Sequence, residues 1–455
     1  MRPRVSTADL GRWVDPEAAW AAVCAGADAA FWLDSGPSAT TGMSYLGVAV
    51  EAIVDPDEFV LEWLAARLRE SADVDTSAAP TGFRLGWVGW LGYELRAETM
   101  GTPRTYSSRY PDAAWMRVDT CLVFDHARGS VHVMTLGDAG AERDRIRALI
   151  DAAPALVAPR PPVATTVVWA DTDEHYLGMV RACQDAIRAG DAYQLCLTTE
   201  ARVPASPDPF DTYRLLRAAS PTHHGALLVV GELAVLGASP ERFLAVTPDG
   251  VVTTSPIKGT RRRGDTPLSD ALLRDELVAS DKERAENLMI VDLMRNDLTR
   301  VCRVGSVGVT SLLEVESYAQ VHQLVSTVRG ELAEGLTGLD AIRSCFPAGS
   351  MTGAPKHSAT LILDRLERRA RGIYSGALGY LGLDGAVDLA MVIRSIVIDP
   401  TGSTVGTGGG ITALSLPEDE LAETRIKARA LLQVLGAPVA VAGFDSLDAP
   451  ADELD

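Results

Sequence analysis

The chain has 455 residues, of which 47% are hydrophobic and 23% charged, the balance expected of a soluble globular protein. Its formal net charge of −19 argues against a nucleic-acid or anionic-membrane partner, either of which wants a basic face. It also means that an anionic substrate must be met by cations concentrated at one site.

Cysteines 24, 121, 183, 196, 302 and 345 show no CxxC or Cys/His spacing. That disfavours a disulfide scaffold and a zinc site, and predicts a reducing, cytoplasmic location. No apolar segment of signal-peptide type follows Met1, and no apolar run approaches the roughly 20 residues needed to span a bilayer.

In chain order, Ala30 to Gly36 reads as a strand entering a turn. Gly82 to Glu94 is rich in glycine and aromatics, a strand pattern with bulges or close backbone approach. Cys121–Asp125 and Val131–Met134 predict a hairpin. Residues 151–166 carry four prolines and read as a linker between an N-terminal region, 1–150, and a C-terminal region, 167–436. Asp173 to Ala189 predicts a helix with Asp173 as N-cap. Tyr193–Thr198 predicts a strand, and Leu227–Val230 with Leu233–Leu236 a hairpin. Leu272 to Met294 has helical spacing. Ile373–Leu383 and Val387–Ile398 read as strands, Pro417–Leu435 as a helix ended by Gly436, and residues 437–455 as a frayed acidic tail.

Several groups in the second half could carry chemistry. Ser255-Pro256-Ile257-Lys258-Gly259-Thr260 pins one lysine between a proline and a glycine; by itself it reads as a basic surface turn. Glu420 and Glu423 share a helix face with Lys427, and Glu286 lies in another helical segment. Such carboxylates can hold Mg²⁺ or simply decorate helix starts and exposed faces. Gly408-Gly409-Gly410, following a strand, can converge N–H groups on an anion or form a flexible hairpin. A similar loop, Gly349 to Lys356, offers Ser350 and Thr352. Arg394, in an apolar strand, needs an anionic partner: a substrate carboxylate or an internal acid.

Taken together and in order, these segments resemble the chorismate-utilising enzymes. The motifs that carry the resemblance are Gly190–Gln194, Ser239–Phe243, Pro256–Thr260, Arg284–Leu298, Leu324–Val328, Gly353–Lys356, the triple glycine and Glu420–Thr424. The N-terminal region resembles, more loosely, the companion region of the amino-transferring members, through Trp32–Ser35 and Trp87–Glu94. The resemblance implies an α+β fold with two large antiparallel sheets packed face to face, helices outside, and both halves contributing to one body.

It also implies roles. Glu286, Glu423 and Glu420 would hold Mg²⁺. Arg394 and Tyr374 would grip the pyruvyl carboxylate of chorismate. Gly408, Gly409 and Lys427 would help neutralise the dianion, with Gln194, Thr260, Ser350 and Thr352 lining the site. Trp32 and Ser35 stand where some relatives bind tryptophan. Isochorismate and salicylate synthases carry a water-activating lysine at the Gln194 position, and anthranilate synthases carry alanine at the Lys258 position. Glutamine with lysine is the aminodeoxychorismate synthase pattern. It implies that Lys258 adds to C2 of the ring, that Glu241 assists loss of the C4 hydroxyl, and that ammonia from a separate glutaminase partner then enters at C4. Gln323 replaces a histidine found in many relatives, beside His322, and Leu414 replaces an aspartate.

Overall fold

Alternation decides where each strand sends its side chains. All six residues of the strand Gly86–Leu91 are buried. Trp87 and Leu91 face one way, where Trp87 meets Trp63 of the helix Val60–Glu70 edge-on at 5.0 Å. Val88 and Trp90 face the other way, into a core shared with a second sheet.

The computed structural model describes residues 3–80, 82–318 and 321–438. Among them the strands form two antiparallel sheets, of twelve and ten strands. Phe31, Leu228, Val235 and Val397 of the larger sheet pack against Trp90, Met116 and Leu378 of the smaller. Each such large side chain taken from water contributes about 1.5–3 kcal/mol. Helices that include Pro16–Val23, Pro209–Ala219 and Pro417–Val434 cover the larger sheet, and Val60–Glu70, Asp281–Thr299 and Gly338–Cys345 cover the smaller. This is the α+β sandwich the resemblance implied. No helix among the described residues is long and apolar enough to cross a membrane.

Both sheets mix strands from either side of residues 151–166. Ala29–Asp34 pairs with His224–Val230, Trp32 opposite Leu227, and Gly86–Leu91 pairs with Ala377–Gly382, Gly89 opposite Gly379. The connecting stretch has no regular element after Ala152. It closes on the end of the last helix, where Thr165 N–H donates to the Gly436 carbonyl (2.9 Å). Of the acidic tail, all but Ala437 and Pro438 lies outside the described residues.

Several local expectations change. The helical spacing over Leu272–Met294 is two helices, Pro267–Ala279 and Asp281–Thr299, broken at Ser280, whose hydroxyl caps the second. The helix from Asp173 is capped by Thr172, not by Asp173. The strand expected from Ile373 starts only at Ala377. The Lys258 stretch is not a turn but an edge strand, Ile257–Arg262, whose register with Val321–Glu331 shifts between Ile257 and Thr260. Gly259, at φ +88, makes that bulge possible, and a Cβ there would lie 2.7 Å from Leu277 Cδ1. The triple glycine is not a loop after a strand. It lies inside the strand Gly402–Ile411, paired with Gln194–Val203.

Candidate active site

The chain crosses between the two sheets at two points that matter here. Glu241 lies between the strands Leu233–Ser239 of the larger sheet and Arg242–Val246 of the smaller. Arg394 lies on the return crossing, between Val387–Met391 and Ser395–Asp399. The apolar run read as one strand therefore breaks at Arg394, which sits at φ +50, a left-handed conformation that a long side chain adopts only when its surroundings impose it. The crossings are tied together: Ala238 N–H donates to the Arg394 carbonyl and Met391 N–H to the Glu241 carbonyl, both 3.0 Å.

Glu241 is buried, and its carboxyl is pushed up to about 7 by that burial, against the opposing pull of Lys258, a Ser350 hydrogen bond and Lys427. Ser350 Oγ donates to Glu241 Oε1 (3.1 Å). Arg394 is surrounded by protein yet remains a solvent-exposed residue, as one lining a cleft does. Burial lowers its affinity for the proton, and among the described residues no acid or acceptor binds its head group. The internal acid partner that the sequence left open is thus not found.

Lys258 Nζ is 4.0 Å from Glu286 Oε2, both side chains largely buried. The glycines of the central strand bring other groups to the same place. A Cβ at Gly410 would lie 2.3 Å from Gln194 Nε2 and 3.6 Å from Lys258 Nζ; one at Gly409 would lie 3.0 Å from Glu420 Oε2 and 4.0 Å from Lys427 Nζ. Glycine lets these side-chain heads end against the backbone, where a Cβ at Gly410 would displace the Gln194 amide. Gln194 is fully buried, and neither its Oε1 nor its Nε2 has a partner, an expensive arrangement that suits a group waiting for a ligand. Tyr374 lies flat on the same strand, since a Cβ at Gly406 would be 2.1 Å from its Cγ.

The three carboxylates expected to hold Mg²⁺ each face a lysine. Besides Lys258 with Glu286, Lys282 Nζ is 3.9 Å from Glu420 Oε1 and Lys427 Nζ 2.7 Å from Glu423 Oε1. Burial raises Glu286 and Glu420, and like charge adds to it: Glu283 and Glu420 act on the first, Glu423 on the second. Burial alone would raise Glu423 as well, but Lys427, Lys282 and Lys258 hold it below the usual range. Among the described residues no cluster of three or more His, Cys, Asp or Glu side chains is closed into a metal site. The donor set fits a hard divalent cation nonetheless: it is all carboxylate oxygen, partly desolvated and mutually repelling.

The remaining predicted residues separate. Lys427 also donates to the Gly408 carbonyl (3.0 Å). Thr260 is exposed on the edge strand. Thr352 is fully buried and gives its hydroxyl to the Ala348 carbonyl (3.2 Å). Trp32 lies in the larger sheet and Ser35 directly after the same strand, Ala29–Asp34. The Trp32 ring is fully buried between Trp20 and Tyr213, under the Arg217 guanidinium, and Ser35 Oγ donates to the Met43 carbonyl (2.8 Å). A groove of about 420 Å³ bordered by Trp90, Tyr110, Leu233 and Asp399 contains none of these residues. His322 is buried on Asp270 and Ser317. Sequence reasoning passed over Lys282, which burial would discharge but Glu420, Glu286, Glu423 and Glu283 keep strongly protonated; its place four residues before Glu286 was the available signal.

The family model described as chorismate binding enzyme matches residues 28–433. The chain belongs to the chorismate-binding enzymes. It is 40% identical over 458 residues to an aminodeoxychorismate synthase of Streptomyces pristinaespiralis, covering 92% of this chain and 64% of that protein. It is 39% identical over 443 residues to anthranilate synthase component 1 of Streptomyces coelicolor, covering 92% of this chain and 86% of the other. The chain thus spans less than two thirds of the aminodeoxychorismate synthase it matches. Among solved structures, anthranilate synthase component I from Streptococcus pneumoniae superposes with a TM-score of 0.73 at 27% identity, covering 94% of this chain and 92% of that one.

Proposed function

We propose that this chain is the synthase component of an aminodeoxychorismate synthase, converting chorismate and ammonia to 4-amino-4-deoxychorismate and water. The observation that carries the reading is the meeting of Lys258 and Gln194 at Gly410, beside a buried Glu241 whose carboxyl is pushed up to about 7.

Arg394 and Tyr374 would bind the pyruvyl carboxylate, and Lys427 with the glycine strand would offset the remaining negative charge. Glu286, Glu420 and Glu423 would hold Mg²⁺, which supplies charge neutralisation at the ring carboxylate. The Lys258 amine forms a bond to C2 as both ring double bonds shift, C1=C2 to C1=C6 and C5=C6 to C4=C5, and the C4–O bond breaks. Glu241 delivers the proton that lets the hydroxyl leave as water. Ammonia then bonds to C4, both double bonds shift back, and the C2–N bond breaks, returning the amine of Lys258. Gln194, which cannot activate water as a lysine would, leaves the path to ammonia. A separate glutaminase partner would deliver that ammonia. The six buried free cysteines suit a reducing compartment such as the cytoplasm. Residues 167–436 supply every proposed chorismate and Mg²⁺ contact.

The 39% identity to an anthranilate synthase component 1 covered over 86% of its length supports a second reading, in which ammonia enters at C2 and pyruvate leaves. Incubation with chorismate, Mg²⁺ and ammonium, followed by chromatography and mass analysis, separates the two. Formation of 4-amino-4-deoxychorismate without pyruvate supports the first. Anthranilate with one pyruvate per turnover overturns it.

A further inference from the structure

The stretch Trp87–Glu94 takes no part in the proposed site, yet it ends in a buried charge knot. Tyr93, Glu94 and Arg96 are each at most 4% exposed. Glu94 Oε1 accepts from Arg371 N–H and Oε2 from Gly372 N–H, both 2.9 Å, and Tyr93 N–H donates back to the Gly372 carbonyl (2.8 Å). Gly372 sits at φ +65, so this turn suits glycine.

The Arg371 side chain, 1% exposed, continues the knot. It forms a two-point pair with Glu367, Nε to Oε2 at 2.9 Å and Nη2 to Oε1 at 2.7 Å. Its remaining donors reach the Met351 carbonyl (Nη1, 2.6 Å) and the Cys196 carbonyl (Nη2, 2.8 Å). The guanidinium lies over the Tyr93 ring, 4.3 Å from its centroid. Met351 follows Ser350, which holds Glu241. Cys196 is two residues beyond Gln194 on the same strand face. Tyr374 is three residues beyond Arg371.

We infer that Arg371, its main chain clamped by Glu94 of the N-terminal region, is a positioning residue that holds the Ser350 loop, the Gln194 strand and the Tyr374 loop at the spacing the substrate needs. The planar fork makes this possible: one guanidinium meets a carboxylate at two points and two carbonyls in fixed directions, which a lysine cannot do. The two ends of the knot act on different segments. Glu94 sets the main chain that carries Tyr374, hence carboxylate binding. The Arg371 head group sets Met351, hence the Ser350–Glu241 contact used in hydroxyl loss.

This rests on the chorismate reading, and its test uses Glu94→Gln and Arg371→Lys in the full chain. Glu94→Gln keeps the shape but puts an NH₂ against one of two N–H donors. It is expected to raise KM for chorismate about tenfold with kcat changed less than threefold. Arg371→Lys is expected to lower kcat tenfold or more with a smaller effect on KM. Circular dichroism and thermal unfolding report the folded fraction; if Arg371→Lys does not fold, the KM of Glu94→Gln decides. A purely structural knot would lower apparent kcat in both variants in proportion to folded protein and leave KM unchanged, which overturns the inference. The identity of the wild-type product tests the functional reading separately, because these ratios hold for any chorismate turnover at this site. A wild-type chain that neither binds nor consumes chorismate overturns both.

Discussion

Glu241 and Arg394 occupy two of the crossings between the sheets, and main-chain hydrogen bonds of 3.0 Å join one crossing to the other. A group proposed to move a proton and a group proposed to hold the substrate's carboxylate are therefore fixed to one short piece of framework.

Arg394 has no acid partner among the described residues, so removing it leaves no buried charge stranded. Arg394→Ala is expected to keep the thermal midpoint within a few degrees of wild type and to raise KM for chorismate about 10- to 100-fold, the equivalent of a hydrogen-bonded charge worth about 1.5–3 kcal/mol. Steady-state kinetics and a melting curve check both parts. A large fall in the midpoint would mean that the guanidinium is structural.

Glu241, raised to about 7, must be protonated to act as an acid. The rate is expected to fall tenfold per pH unit above about 7, and Glu241→Gln to lose about 10²- to 10⁴-fold in kcat. Stability follows the same sign. With the folded value above the ordinary 4.5, the protonated group's contribution is complete below pH 4.5 and lost as pH rises through 7. Glu241→Gln, which cannot ionise, should therefore melt higher than wild type at pH 8 and close to it at pH 5. Melting curves of the two proteins at both pH values check this.

Lys258→Ala is expected to abolish 4-amino-4-deoxychorismate formation while chorismate still binds, because Arg394, Tyr374 and Lys427 remain. Calorimetric titration with chorismate beside product chromatography tests the pair of outcomes. An unchanged rate and product would end the case for a nucleophilic lysine.

Lys282 stands among carboxylates proposed for Mg²⁺. Lys282→Ala is expected to lower the thermal midpoint in the absence of metal, where the carboxylates lose a counter-charge, and to tighten Mg²⁺ binding several-fold. Calorimetry without substrate reads the affinity directly. Weaker Mg²⁺ binding in the variant would show that the lysine does not compete.

Much of the candidate site was legible because the residues proposed for it lie in short motifs: Lys258, Glu241, Glu286 and the last helix all sit in segments whose order pointed to one family. What local pattern missed was set by tertiary contacts. Gly408, Gly409 and Gly410 read as a loop, since glycine weakens a strand. They are inside one where a Cβ at Gly408 would meet the Leu197 carbonyl of the neighbouring strand at 2.3 Å, and where the head groups of Glu420 and Gln194 end against Gly409 and Gly410. Arg394 read as strand because its neighbours are apolar, and one residue at positive φ is invisible in composition. Lys258 read as a turn because a bulged edge strand also carries proline and glycine. The part played by Glu94 could not be read at all, because its partners lie about 277 residues away.

The strand pairings Trp32–Leu227 and Gly89–Gly379 have a consequence for how this chain could be divided or recombined. Cut between residues 150 and 167, each fragment would expose strands whose hydrogen-bonding edges and apolar faces are completed only by the other. Neither piece would be a module that could be transplanted alone, whereas the two expressed together have every reason to find each other and restore one body.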